Sequence, residues 1–298
     1  TFRYTVQDGD LDTDGIAIGG IVLNGTTIRD ADNNNANLSL AGHLPSTTGI
    51  LVDTEAPTVT ASNISISGAS GNNESYKIGD MVTASWNNTS LGDNNTDVPS
   101  VTFDFSEFGG GAAVTAFNSA GIWRASFMIN EGTINGVSNS NVHITVKDAA
   151  GNTTTIEDDA NVTVDNQAPT NTVASISLSD DTGLSSSDFV TKTASQTITG
   201  SLGANLASGE SVQVSLNNGA SYSQASITTG TDTWSLSNVT LSGSSTLKVV
   251  VQDNAGNRGT AIEQAYTLDT TAPAAPSTPD LAAADDTGVS NTDNITNK

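Results

Sequence analysis

The sequence predicts an all-β chain of consecutive β-sandwiches, and three observations support this prediction. First, apolar and polar residues alternate in short runs such as Val101-Thr102-Phe103 and Leu247-Lys248-Val249, which is the pattern of strands with one buried face. Second, Ser, Thr, Asn, Asp and Gly fill the intervals, as turns require. Third, a boundary segment recurs along the chain. Because no stretch shows sustained helical periodicity, stacked β-sandwiches are the expected class.

The recurring boundary segment contains an Asp followed three residues later by Ala-Pro. Its Asp residues stand at positions 53, 165 and 269, which are 165 − 53 = 112 and 269 − 165 = 104 residues apart. An immunoglobulin-type sandwich has about this length, roughly 100 residues. The predicted segments are the C-terminal part of one repeat (1–52), two complete immunoglobulin-like sandwiches (53–164 and 165–268) and the start of the next repeat (269–298).

Two further motifs recur with the boundaries. An Asp-x-Ala-Gly-Asn turn precedes two of the boundaries, beginning at Asp148 and at Asp253, and a weaker version that begins at Asp30 precedes the first boundary. The turns begin 165 − 148 = 17 and 269 − 253 = 16 residues before the next boundary. An Asp-Asp-Thr-Gly segment with a later Asp follows two boundaries, at 180–188 and 285–293. Because these acidic turns recur with the boundaries, we expect them to have a role at the joints between neighbouring repeats.

Composition restricts the partners of the chain. Nine Lys and Arg residues against 32 Asp and Glu residues give a net charge of −23, which repels nucleic acid and anionic lipid and attracts cations. There is no cysteine, so disulfides, thiol nucleophiles and Cys-ligated metals are excluded. No apolar run approaches the roughly 18 residues of a membrane span, and we expect no membrane insertion.

The boundary segments, the Asp-x-Ala-Gly-Asn turns and the Asp-Thr-Gly segments resemble those of bacterial Ig-like tandem repeats in large RTX-type surface adhesins. The phrase from Val101 to Gly111, followed by Gly121-Ile122-Trp123, resembles another repeat type of the same giant proteins. The resemblance implies an extracellular position on the bacterial cell surface, calcium between domains, and a role in adhesion or biofilm formation. The glycine-rich nonapeptide repeats of RTX secretion are absent from this sequence.

A first candidate calcium site lies near the start of the chain. Asp10, Asp12 and Asp14 alternate and are followed by Gly15, which matches the start of a calcium loop whose carboxylates converge on one ion. The twelfth position is Ile21 instead of a bidentate Glu, so a distant acid such as Asp8 or Asp30 would have to complete the site. The alternative is an acidic hairpin loop.

The joints between sandwiches are the second group of candidate Ca²⁺ sites. Several carboxylates in one place repel each other without a cation and supply oxygen ligands with one. Spacing alone leaves open which acids share an ion, and the alternative is that Asp and Asn simply favour turns. The expected ligands are Asp53 at the first joint, Asp148, Asp165 and Asp181 or Asp188 at the middle joint, and Asp253, Asp269 and Asp286 or Asp293 at the final joint.

The other residues that could form a binding or catalytic site are expected to have structural roles instead. The segment from Asp93 to Asp97 has alternating oxygen donors but no Gly at the required place, which favours a plain loop. Trp123 and Trp234 each open an alternating run, as core anchors of sandwiches do. The acids lie in repeated turns, and a catalytic pair would not be duplicated at each joint. We therefore expect no enzymatic activity.

These patterns predict a calcium-stiffened, extended stalk that projects a distal binding domain. Its partners would be calcium ions and neighbouring repeats of the same chain, with the host or surface ligand bound outside these residues. Two alternatives stay open. The unit 53–164, which breaks the repeat pattern, could itself bind a glycan or a protein, or the array could be an accessory region of a secreted polysaccharide-degrading enzyme.

Overall fold

The computed structural model describes residues 3–297, so the outermost ends of the predicted segments 1–52 and 269–298 lie outside the description. The chain divides into two compact units. One contains the residues up to Thr172 together with Ala207–Ser211 and Val250–Thr260, and the other contains Val173–Leu206, Val212–Val249 and the residues from Ala261 onward. Each unit is built from β-strands and turns.

Short strands account for nearly all of the regular structure. The first boundary is marked by β1 (Leu11–Asp12) and β2 (Val52–Asp53), which pair antiparallel. The second repeat contains β3 (Ile64–Ser67), β4 (Tyr76–Lys77), β5 (Met81–Asn87), β6 (Ser100–Asp104), β7 (Val114–Thr115), β8 (Phe117–Ser119), β9 (Ile122–Met128), β10 (Val137–Ser140), β11 (His143–Lys147), β12 (Thr153–Glu157) and β13 (Val162–Asp165). Its 3-10 turns are Ala61–Asn63, Asn72–Glu74 and Ser106–Phe108.

The second repeat has the strand order of an immunoglobulin-type sandwich. One sheet runs β3-β5-β9-β8 and the other β12-β11-β6-β7, which correspond to the A-B-E-D and G-F-C-C′ orders of that fold. A small sheet, β10-β13-β4, adds a parallel pair between β4 and β13. The turn 148–152 is therefore the F–G hairpin turn, and the loop 88–99 is the B–C loop.

The third repeat follows the same plan. It contains β14 (Val173–Leu178), β15 (Val190–Thr191), β16 (Ser195–Leu202), β17 (Ser211–Ser215), β18 (Ser223–Gln224), β19 (Thr233–Thr240), β20 (Ser244–Gln252) and β21 (Ile262–Leu268). The sheets run β14-β16-β19 and β15-β21-β20-β17-β18. The turn 253–257 again joins strands F and G, and the loop 203–210 again joins strands B and C.

Alternating apolar side chains form the cores, as the sequence predicts. Phe103 and Ile144 are fully buried in the second repeat, and Leu247 and Val249 are fully buried in the third. Trp123 and Trp234 are also buried, which confirms that they are core residues. Trp86, which the sequence patterns did not single out, is fully buried as well.

Residues 3–297 include no helix with the length and apolar character that a membrane crossing requires.

Candidate cation sites at the repeat boundaries

The turn between β11 and β12 folds around the carboxylate of Asp148. The backbone N–H groups of Gly151 and Asn152 donate to Asp148 Oδ1 at 2.6 and 2.8 Å, and Asn152 Nδ2 donates to Asp148 Oδ2 at 2.8 Å. Burial raises the pKa of Asp148, but the hydrogen bonds from Asn152 and the turn backbone outweigh it, and the pKa is lowered. The buried side chain is therefore a carboxylate at neutral pH.

The same turn occurs twice more. Asn257 N and Nδ2 donate to the carboxylate of Asp253 at 2.8 and 2.9 Å. In the weaker version of the motif, Asn34 N and Nδ2 donate to the carboxylate of Asp30 at 2.9 and 3.0 Å, and these bonds lower the pKa of Asp30. The repeated geometry confirms that the three motifs are equivalent turns.

At the first boundary, three carboxylates converge. Asp53, Asp97 and Asp148 each place an oxygen so that the three oxygens lie within 4.8 Å of one another. Asp53 comes from β2, Asp97 from the B–C loop and Asp148 from the F–G turn. Asp97 is exposed, Asp53 is half-buried and Asp148 is buried, so the cluster opens to solvent on one side. Oxygen donors of this kind suit calcium.

Hydrogen bonds hold the boundary segment against these two loops. Asn152 Nδ2 donates to the carbonyl oxygens of Asp53 and Glu55 at 3.1 and 3.2 Å. Asn95, in the B–C loop, accepts from Thr58 N at 2.9 Å and donates to Thr58 O at 2.8 Å. The side chains that bring the acids together are therefore the amides of the same loops.

At the second boundary, the equivalent elements surround a cavity of about 400 Å³ whose lining includes Asp165, Glu210 and Asp253. Glu210 lies in the B–C loop of the third repeat, as Asp97 does in the second. Burial raises the pKa of Asp165, hydrogen bonds from Gln167 lower it, and the charge of Asp253 raises it further, with a net upward shift. Asp165 and Asp253 are thus close enough to repel each other.

Asn257 connects three segments at this second boundary through hydrogen bonds of its side chain. It is buried, and its Nδ2 donates to Asp165 O at 3.1 Å. Its Oδ1 accepts from Ile78 N at 2.8 Å. One amide therefore connects the F–G turn, the boundary Asp and the segment next to β4.

The grouping of acids differs from the one that the sequence led us to expect. We expected Asp148 beside Asp165, the boundary that follows it, but the structure places Asp148 beside Asp53. In the same way, Asp253 lies beside Asp165. The physical reason is that each F–G turn stands at the end of the sandwich where the repeat begins, and the last strands then lead the chain away from it toward the next boundary.

The acidic loop at 10–15 does not gather its carboxylates. Asp10 accepts from Tyr4 Oη and Gln7 N at 2.8 and 2.7 Å, hydrogen bonds that lower its pKa. Asp12 Oδ1 accepts from Gly15 N at 2.8 Å. Within residues 3–297, the only group of three or more potential ligands that converge is the one at the first boundary, so Asp10, Asp12 and Asp14 form a hydrogen-bonded turn, and Asp30 closes a turn of its own.

The remaining predicted ligands lie in the other unit. Asp269 Oδ1 accepts from Thr271 N at 2.9 Å, the same local turn that Asp53 and Asp165 make with Glu55 N and Gln167 N. The predicted ligands Asp181, Asp188, Asp286 and Asp293 lie in two loops of matching geometry.

Two boundary acids were missed by sequence reasoning. Asp97 belongs to the Asp93–Asp97 segment, whose alternating oxygen donors were a signal that the absence of Gly led us to discount. Glu210 carries no motif in the sequence. Both become candidates only because the B–C loop lies beside the F–G turn in this fold.

Comparison with known proteins supports the fold assignment. Residues 167–270 match the model of a family described as bacterial Ig-like domain, which spans one repeat. The curated proteins include no match. Solved structures with similarity include fibronectin(III)-like modules of Clostridium thermocellum CbhA, with 12% identity, TM-score 0.31, and coverage of 69% of this chain and 93% of that one.

Two other similar structures belong to an adhesin and to a biofilm-associated protein. A 1.5-MDa bacterial ice-binding adhesin has 18% identity and TM-score 0.27, with 73% of this chain and 67% of that chain covered. The BSP domain of a biofilm-associated protein has 15% identity and TM-score 0.22, with 71% of this chain and 30% of that chain covered. TM-scores at this level carry no functional conclusion. The strand orders and the family match show that this is an all-β chain with consecutive immunoglobulin-like sandwiches.

Proposed function

We propose that this chain is a calcium-stiffened spacer of a large bacterial surface adhesin. The observation that carries the proposal is the convergence of Asp53, Asp97 and Asp148 at the start of a repeat. Equivalent elements place Asp165, Glu210 and Asp253 around a cavity at the start of the next repeat. A feature present at two successive boundaries serves the array rather than a single binding event.

Calcium is the cation that fits this arrangement. It accepts flexible sets of carboxylate and carbonyl oxygens, whereas magnesium demands near-ideal octahedral geometry. Asp148 stays ionised because its pKa is lowered, and Asp53 and Asp97 lie where their charges repel it without a cation. A bound ion would convert this repulsion into attraction among the boundary segment, the B–C loop and the F–G turn.

The proposed role of this chain is to hold a distal binding domain away from the cell surface. Consecutive sandwiches supply length, and ion-bridged boundaries would supply stiffness. The net charge of −23 would keep neighbouring copies apart. In this proposal the protein is secreted to the cell surface in the manner of RTX-type adhesins, and a domain beyond these repeats binds the host, the substrate surface or the biofilm.

Thermal unfolding with and without calcium tests the proposal. Extracellular calcium modules bind at roughly 10⁻⁴–10⁻³ M, so about 5 mM calcium should stabilise a repeat by about 1–2 kcal/mol per site. For a domain of this size that corresponds to an increase in Tm of about 4–15 °C. Differential scanning calorimetry in EDTA and in calcium would measure the shift.

Asp97→Asn should remove at least half of the calcium-induced shift of the 53–164 transition. Asp97 is exposed, so this variant should still fold. Glu131→Gln, which removes one charge from an exposed position of the same repeat, is the matched control and should keep the full shift. Melts that are identical in EDTA and calcium for the unmodified chain would refute the proposal.

A further inference from the structure

Three Asn-Gly pairs occur in the chain, and they begin at Asn24, Asn135 and Asn218. An Asn that precedes Gly is chemically reactive, because glycine has no Cβ to shield its backbone nitrogen from the neighbouring side-chain amide. That nitrogen can attack the amide carbon and displace ammonia. The local backbone conformation decides how easily this ring closure occurs, and the conformation differs among the three pairs.

Two of the pairs are held in closed hairpin turns. The φ angles are 44° at Asn24 and 58° at Asn218, and the glycines that follow have φ of 85° and 87°, as in type I′ turns. A backbone hydrogen bond of 2.8 Å spans the first turn, and in the second Gly219 N donates to Ser215 Oγ at 2.8 Å. The first central residue of such a turn has ψ of about +30°, which places its Cβ and the next nitrogen nearly opposite each other across the Cα–C bond. Ring closure needs these two atoms on the same side, so each turn must open before it can react.

The third pair forms a bend instead of a hydrogen-bonded turn. Asn135 has a negative φ and an exposed side chain, and its Nδ2 donates to Gln167 Oε1 at 2.9 Å. The N–H of Gly136 donates to the carboxylate of Asp165, and a Cβ at Gly136 would lie 4.0 Å from Asp165 Oδ2. A carboxylate acceptor polarises the N–H bond, which leaves more electron density on the nitrogen that would attack.

We propose that Asn135 is a site of spontaneous deamidation that adds a carboxylate to the second boundary. The Gly136 nitrogen forms a bond to Asn135 Cγ and gives up its proton, and the side-chain nitrogen gains one proton and leaves as ammonia. Water then opens the five-membered succinimide ring at either of its carbonyl carbons, which leaves an aspartate or an isoaspartate at this position. No electrons are transferred, and water is the only other reactant.

The product places a new charge among the acids of the second boundary. Asn135 lines the same cavity of about 400 Å³ as Asp165, Glu210 and Asp253, so the lining would contain four carboxylates instead of three. Gln167 can turn its side-chain amide and donate to the new carboxylate. The added charge increases repulsion when no cation is bound and supplies a further oxygen ligand when one is. This last consequence, a changed affinity for calcium, rests on the proposed function, whereas the deamidation itself does not.

Peptide mapping by mass spectrometry tests the proposal on the whole chain, incubated in neutral buffer with EDTA. Deamidation increases the mass of a peptide because an amide –NH₂ is replaced by –OH, and chromatography separates the isoaspartate product from the aspartate product. Peptides that contain Asn135 should convert about two- to tenfold faster than those that contain Asn24 or Asn218, the factor for opening one intramolecular hydrogen bond before reaction. The two turns are therefore internal controls within the same molecule.

Two changes separate the effect of the fold from that of the dipeptide. Asn135→Gln, whose side chain would have to close a six-membered ring, should remove the fast conversion and leave the rates at Asn24 and Asn218 unchanged. Incubation in urea should bring the three rates close together, because it removes the turns and the boundary alike. Conversion at Asn135 that is no faster than at the two turns, or a difference that persists in urea, would overturn the proposal.

Asn135→Asp, which carries the charge of the product, tests the consequence for calcium. Calorimetry of this variant should show a larger calcium-induced shift than that of the freshly prepared unmodified chain, because the boundary has one more carboxylate. Fast conversion at Asn135 together with an unchanged calcium shift in this variant would support the deamidation and contradict calcium binding at the second boundary.

Discussion

Asp93 connects the core of the second repeat to the loop that carries the boundary acid Asp97. Trp86 Nε1 donates to Asp93 Oδ2 at 2.6 Å, Thr60 N donates to the same oxygen at 3.0 Å, and Asn63 Nδ2 donates to Oδ1 at 2.8 Å. Burial raises the pKa of Asp93, but these hydrogen bonds outweigh it, and the pKa is lowered from 3.8. The ionised side chain therefore stabilises the folded repeat.

Asp93→Ala should lower the free energy of unfolding of the 53–164 repeat by about 2–4 kcal/mol at pH 7, because the buried indole N–H loses its acceptor. A lowered folded-state pKa contributes stability above the unfolded value, and this stability is lost as the pH falls below 3.8 through the lowered value. Urea unfolding monitored by tryptophan fluorescence at pH 7 and pH 3 would measure both effects. Equal stability of variant and unmodified chain at pH 7 would contradict the assigned role, and Glu131→Ala is the exposed control.

At the residue scale, the sequence located the acids that carry a repeated local motif and missed those that do not. Asp53 and Asp148 could be found because their turns recur with fixed spacing. Asp97 lies 97 − 53 = 44 residues from one partner and 148 − 97 = 51 from the other, and Glu210 lies in a loop of unrelated sequence. Such contacts depend on how strands B, C, F and G are arranged, which only the folded chain specifies.

At the element scale, the F–G hairpin explains why the turn at Asp148 was wrongly expected to lie beside Asp165, the boundary that follows it in the sequence. A strand rises about 3.3 Å per residue, so the strands that follow the turn at Asp148 carry the chain to the far end of the sandwich before Asp165. The alternation of apolar residues predicted the strands themselves, since Val101 and Phe103 in β6 and Leu247 and Val249 in β20 are all buried. The two-residue alternation along a strand specifies which face of the strand is buried. It does not specify which turns lie together at one end of the sandwich.

Asn257→Ala tests the metal-independent part of a boundary. The amide of Asn257 donates to Asp165 O and Asp253 Oδ2 and accepts from Ile78 N, so its loss should destabilise this part of the molecule by about 2–4 kcal/mol. Because the hydrogen bonds of Asn257 join protein groups directly, the loss should be similar in EDTA and in calcium, as measured by calorimetry. Asn254→Ala removes an exposed amide of the same turn and should cost less than about 0.5 kcal/mol. A loss that appears only in calcium would contradict this account.

At the scale of the whole molecule, hydrogen bonds and charge act in opposite directions at the boundaries that begin with Asp53 and Asp165. The Asn152 and Asn257 amides hold the boundary backbone, whereas the acids beside them repel one another. The net charge of −23 adds a general repulsion that salt screens over about 10 Å. The acidic composition predicted an affinity for cations. It could not predict the balance between the amide hydrogen bonds and the repulsion of the carboxylates, because that balance depends on distances within each boundary.

Small-angle X-ray scattering should detect this balance. In EDTA, repulsion among Asp53, Asp97 and Asp148 should loosen the boundary as far as the hydrogen bonds of Asn152 to the boundary backbone allow. The distribution of interatomic distances from scattering should then be broad. About 5 mM calcium, which is above the roughly 10⁻⁴–10⁻³ M affinity range of extracellular modules, should narrow the distribution. The double variant Asp148→Asn with Asp253→Asn should lose the narrowing, because it removes the F–G acid from both boundaries while Asn preserves the turn. Glu131→Gln should respond as the unmodified chain does. A distribution that is the same in EDTA and in calcium would mean that the hydrogen bonds of the Asn152 and Asn257 amides alone set the geometry of the boundaries. The stiffness of the spacer would then come from hydrogen bonds instead of ions.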